Sequence, residues 1–127
     1  MEIISVSLDE GLVKELDSLR RSSGISGRSE LVRLGLHKLV SERKERSALR
    51  GHVDCVLLVL HSHHSTPEIS RLRHIHEGII RTQLHQHVGG EKCMEIIVAA
   101  GDAAKVRKMA EDFEASKKVQ YVKLVVP

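Results

Sequence analysis

The sequence has no Trp, one Phe and one Tyr. Its core must therefore be aliphatic, and it offers no aromatic platform on which single-stranded bases could stack. Two Cys are too few for a disulfide framework, and their scarcity reads as a reducing, cytoplasmic setting. No apolar run approaches the roughly 18 residues expected of a membrane span, so no membrane segment is expected. The start, MEIISVSLDE, alternates and is acidic, unlike a signal peptide. Phosphate loops, H-E-x-x-H and G-x-S-x-G are absent, and no enzyme is expected. Charge of one sign is lacking too: 20 basic side chains stand against 17 acidic ones, and the net +3 alone says little about nucleic acid. What the chain has in excess is histidine, nine in 127 residues, eight of them between His52 and His87.

With 41% hydrophobic and 29% charged residues, the chain suits one ordinary folded domain or two very small ones. The charged run SERKERSALR ends at Gly51, which sets the expected boundary between a unit at 1–50 and another at 51–127.

The first unit opens with a strand. In IISVSL, Ile4, Val6 and Leu8 alternate with Ile3, Ser5 and Ser7. Asp9 can cap a helix that carries Leu12, Leu16 and Leu19 at helical spacing. A break at RRSSGISG leads to a second helix from about Arg28 to Arg46, striped by Leu31, Val32, Leu36, Leu39 and Val40. One strand and two helices cannot close a core of that size, and a lone strand leaves both edges unpaired. Pairing with a second copy answers both needs and gives a ribbon-helix-helix, whose two-stranded ribbon fits the major groove of double-stranded DNA. Ile3, Ser5 and Ser7 then face the bases. The start of the second helix, at Arg28 and Ser29, offers N–H groups and charge to phosphate.

The second unit alternates classes. HVDCVLLVLH is a strand, and Thr66 and Pro67 start a helix. IRTQLHQHV and CMEIIVAA are strands around the turn VGGEK, Gly101 or Asp102 opens a helix, and VQYVKLVV is the last strand. The order βαββαβ predicts an α+β, ferredoxin-like domain with two helices on one face of an antiparallel sheet. The other face, rich in Val, Leu and Ile, calls for a second sheet and again for assembly.

His85 and His87 lie two apart on one strand, so both imidazoles face one side. A hairpin can bring Cys93 beside them, and two imidazoles with a thiolate on rigid strands make a transition-metal site. A fourth donor is missing from that cluster, and His74 or His76 could supply it across a subunit interface. His61, His63, His64 and His76 are candidates for weaker metal contacts. Each of these residues also has a plainer reading, as surface polarity or, for Cys93, as a small buried hydrophobe. Cys55 is expected to pack in the sheet.

Three segments together resemble the nickel-responsive transcriptional regulators called NikR: SVSLDEGLVKELD, GRSELVR, and H-Q-H-V-G-G-E-K-C-M-E-I. The resemblance spans nearly the whole chain. It implies a ribbon-helix-helix followed by an ACT-like regulatory domain, assembled as a homotetramer, a dimer of dimers. It implies one square-planar Ni(II) per chain, with His85, His87 and Cys93 as ligands and His74 from a facing subunit as the fourth. It also implies support of the ligand shell by Glu95. The chain departs from the family where Ile3, Ser5 and Ser7 stand for an Arg and two Thr, so its operator need not be the family's usual one. Glu30 matches one ligand of the family's accessory cation site, but Leu34 stands where an acidic residue often follows. Gly90 replaces a His found in some members. The function implied is repression of nickel-uptake genes. The rivals are sensing of cobalt, copper or zinc by the same architecture, and metal storage or delivery without operator binding.

Overall fold

The Asp9 carboxylate accepts a hydrogen bond from the Leu12 N–H at 2.8 Å, and a helix, α1 (Glu10–Ser22), begins there. The computed structural model describes residues 1–127, and its backbone divides into two units, Met1–Glu45 and Arg46–Pro127. The second helix, α2, spans Arg28–Ser47. Neither α1 nor α2 buries a single residue within one chain. Leu12, Leu36, Leu39 and Val40 of their apolar stripes are all exposed. Residues 1–9 form no strand, contrary to the expectation from IISVSL. The reason is physical: a strand exists only through the ladder it shares with a neighbour, and one chain offers residues 3–8 none.

The second unit follows the expected order. Its elements are β1 (His52–Ser62), a 3-10 turn (His63–Ser65), α3 (Thr66–Ile75), β2 (Ile80–Gly89), β3 (Lys92–Asp102), α4 (Ala103–Ala115) and β4 (Val119–Val125). Pro67 sits in the first turn of α3, where its missing N–H costs nothing. Asp102 caps α4 through the Ala104 N–H at 3.1 Å. The strands lie in the order β2-β3-β1-β4, and every neighbouring pair is antiparallel. This is the arrangement expected of an ACT-like α+β domain.

Alternation decides which side chains are buried. Val53, Cys55, Leu57 and Val59 of β1 point inward with Ile97 and Ala99 of β3. They meet Ile69 and Leu72 of α3 and Val106, Met109, Ala110 and Phe113 of α4. Cys55 packs there as expected, and burial pushes its thiol pKa up. The opposite face of the sheet stays open, with Leu84, Val98 and Tyr121 exposed.

Candidate metal centre

The pairing of β2 with β3 sets His87 opposite Cys93 and His85 opposite Glu95. The pairing of β1 with β3 sets His61 opposite Cys93. Strand parity then gathers Gln83, His85, His87, Cys93, Glu95 and His61 on the face that also carries the core, towards the hairpin end. Cys93, Glu95 and His61 are buried, whereas His85 and His87 are exposed.

The donors form two adjoining groups. In the first, Cys93 Sγ lies 3.8 Å from Nδ1 of His87 and 3.8 Å from Nδ1 of His63. In the second, Glu95 Oε1 faces both Nδ1 of His85 and, at 3.1 Å, Nε2 of His61. The Gln83 amide donates to Glu95 Oε2 at 2.7 Å. Burial alone would raise the Glu95 pKa, but the bonds from Gln83, His85 and His61 outweigh it and hold the carboxyl below its ordinary range. A carboxylate fixed in this way orients the His85 ring and leaves Nε2 as that ring's free donor atom.

The structure therefore brings His87 and Cys93 together and keeps His85 beside them, turned onto Glu95. His74, in the last turn of α3, is mostly exposed, with Nδ1 3.3 Å from the Glu77 carboxylate. His76 is buried instead, and its Nε2 meets Asp112 at 2.9 Å. His61, His63 and His64 do not converge. His61 is fully buried on Glu95, His63 turns to Cys93, and His64 is exposed 3.4 Å from Glu91. The plainer reading of His61 as surface polarity is overturned by its full burial. Sequence reading missed Gln83, although its parity with His85 was visible. It also missed the approach of His63 to Cys93, which depends on a 3-10 turn that no periodicity signals. A thiol with several imidazoles fits the borderline cations, nickel among them, and would not suit calcium or magnesium.

In the first unit, Ile3, Ser5, Ser7 and Ser29 are exposed. Arg28 is exposed as well, but its guanidinium forks onto Asp17, at 2.9 Å and 2.7 Å. Glu30 lies 3.5 Å from the Ser26 hydroxyl, and Leu34 is half exposed. No helix is long and apolar enough to cross a membrane.

Residues 55–126 match the NikR C-terminal nickel-binding domain, and residues 2–43 match the ribbon-helix-helix protein family of the copG type. A relative from Methanococcus maripaludis, assigned by name as a nickel-responsive regulator, is 30% identical over 99% of this chain and 92% of its own. One from Halobacterium salinarum, assigned likewise, is 32% identical over 92% of this chain and 84% of its own. Among solved structures, an uncharacterised protein from Thermotoga maritima superposes with a TM-score of 0.55 at 15% identity. It covers 60% of this chain and 98% of its own, and the likeness shows the fold alone.

Proposed function

The chain belongs to the family of nickel-responsive, ribbon-helix-helix regulators, and on that premise we propose that it is a nickel-dependent repressor of nickel-uptake genes. That family is one of regulators and not of enzymes. Two chains pair through residues 3–8 to make the ribbon that enters the major groove. The exposed stripes of α1 and α2 support this, because a second chain would cover them. Ser5 and Ser7 read base edges, Ile3 touches a thymine methyl at most, and Arg28 and Ser29 hold phosphates. Dimers join as a tetramer through the open sheet face around Leu84, Val98 and Tyr121.

One Ni(II) per chain is held by His85, His87 and Cys93, with His74 contributed by a neighbouring chain. The observation that carries this reading is the strand register, which aligns His87 with Cys93 and His85 with Glu95 on one face. Bound nickel supplies a positive centre shared by donors of two chains. The chain's own residues do the rest. Glu95 fixes the His85 ring, and the Cys93 thiol gives up its proton on binding, so affinity falls as pH drops. Occupancy shifts the population of assemblies able to hold the operator.

Nickel titration with footprinting on the DNA upstream of its own gene and of nickel-transport genes tests the reading. Protection of a discrete site that appears with nickel, and is lost in Cys93→Ala, is the expected result. Protection indifferent to nickel would overturn it.

A further inference from the structure

His76 has no place in the proposed nickel set, yet its ring is buried in a region whose other packed side chains are aliphatic. Burying an imidazole costs free energy unless its N–H finds a partner, and Leu or Ile would fill the space without that cost. The partner is Asp112 of α4, whose Oδ2 lies 2.9 Å from Nε2 of His76. Oδ1 of the same carboxylate takes Nζ of Lys108 at 2.8 Å. An ionised carboxylate only accepts, so the ring donates.

His76 also ends α3. Its N–H turns back to the Leu72 and Arg73 carbonyls at 3.3 Å and 3.2 Å, and its carbonyl accepts from the Ile79 N–H at 3.1 Å. Ile79 is buried, and its carbonyl accepts from the Ala100 N–H at 2.9 Å. Its side chain lies so near Gly101 that a Cβ there would come within 2.6 Å. The corner between α3 and β2 is thus tied to α4 by a ring and to β3 by backbone. His74 stands in the same turn, mostly exposed, with its ring against Glu77. Helical residues turn by about 100° each, so two positions apart they point about 200° apart. With His76 held under α4, His74 projects from the opposite side of the turn, away from its own core.

We propose that His76, through its bond to Asp112, is a positioning residue for nickel: it fixes the last turn of α3 so that His74 is presented to a neighbouring chain's hairpin. A metal ligand must be held within about 0.5 Å of its place by packing and outer hydrogen bonds. An exposed ring gains little of that from its own contacts, and the anchored turn supplies it. The inference rests on the nickel set proposed above and adds a direction to it. Each chain's His76 serves the site of its neighbour and not its own His85, His87 and Cys93.

The test uses the full metal-free protein, with nickel affinity read by competition with a chromophoric chelator. His76→Leu and Asp112→Ala should each weaken nickel by about 10-fold or more, the cost of losing an outer partner. His76→Gln, whose amide N–H can reach the same carboxylate, should stay near the parent. Mixed assemblies, refolded from equal amounts of two variants, read the direction. His76→Leu with Cys93→Ala should give parent affinity at about a quarter of the sites, those pairing an intact hairpin with a neighbour's anchored His74. His76→Leu with His74→Ala should give none. Should His76→Leu fail to refold, Asp112→Ala takes its place in both mixtures. Parent affinity in His76→Leu or in Asp112→Ala would overturn the proposal, as would failure of His76→Gln to rescue. The reverse pattern in the mixtures would place His76 on its own hairpin, and parent affinity in neither would show a general loss of packing; each overturns it. Parent affinity in His74→Ala would instead overturn the nickel set itself.

Discussion

Glu95 is the most consequential side chain that holds no metal in the proposed set. It is 1% exposed and hydrogen-bonded on both oxygens, to His85 and His61 on one and Gln83 on the other. Glu95→Gln keeps the size but removes the charge and presents an amide to the two rings. Nickel affinity should fall by about 10–100-fold, as for other outer-shell partners of metal-binding histidines. Calorimetric titration checks it, and an unchanged affinity would mean that the His85 ring needs no such support. The Asp17–Arg28 fork sets up a second contest. The hydrogen bond from Arg28 lowers the Asp17 pKa against the opposing effect of burial, and the Arg28, Arg20 and Arg21 charges add to the lowering. A carboxyl whose folded pKa lies below its unfolded value of about 3.9 adds stability above that pH. The contribution is lost as pH falls through the lowered folded value. At neutral pH the pair is intact, and in the proposed DNA complex Asp17 competes with phosphate for Arg28. Asp17→Asn should therefore strengthen binding to any DNA sequence and steepen the salt slope by about 0.9, the value of one added phosphate contact. Affinities measured across salt concentrations decide it, and an unaltered slope would remove Arg28 from the phosphate contacts.

At the scale of elements, the β2–β3 hairpin aligns the candidate metal donors, and its turn depends on two glycines. Gly89 and Gly90 have φ of 118° and 56°, values that side-chain-bearing residues rarely adopt. The register shifts between His87 and Gly89, directly beside the His87–Cys93 pair. Gly89→Ala or Gly90→Ala should cost about 1–3 kcal/mol of stability. Nickel affinity should fall as well, because the strain sits two or three residues from His87, a proposed ligand. Denaturant unfolding with and without nickel measures both effects, and a stable hairpin with unchanged affinity would show that the donor alignment does not depend on this turn. The elements themselves were legible where periodicity was strong. The alternation through Val53, Cys55, Leu57 and Val59 and the Thr66–Pro67 helix start led directly to β1 and α3. The turn at VGGEK likewise marked the hairpin. Two features were not legible. The 3-10 turn at His63–Ser65 leaves no repeating pattern, so the approach of His63 to Cys93 could not be read from spacing. The burial of His61 and its tie to Glu95 depend on strand order, which brings residues 34 positions apart into contact. The sequence reading left His61 between a weaker metal contact and surface polarity, because alternation names no partner for it.

For the whole molecule, the decisive question is whether one chain is a functional unit. Exposed stripes on α1 and α2 and the open sheet face around Val98 and Tyr121 argue that it is not. Sedimentation at micromolar concentration should show a tetramer, and a stable 14.2 kDa monomer would exclude both the ribbon and the shared nickel set. Assembly also permits a sharper test, because the proposed set draws His85, His87 and Cys93 from one chain and His74 from another. Neither Cys93→Ala nor His74→Ala alone should retain the near-ultraviolet charge-transfer absorption of a nickel thiolate. When the two variants are unfolded together in equal amounts and refolded, chains combine at random within the closed assembly. A site is whole only when its Cys93 comes from a His74→Ala chain and its His74 from a Cys93→Ala chain. About a quarter of the sites meet that condition, so about a quarter of the parent absorption should return. Cys93→Ala mixed with His87→Ala provides the contrast: both losses then fall on the same side of the interface and no whole site can form. If the first mixture also stays silent, His74 acts within its own chain. If His74→Ala alone keeps full absorption, the fourth donor is another group, and His76, buried on Asp112, would have to leave that partner to serve.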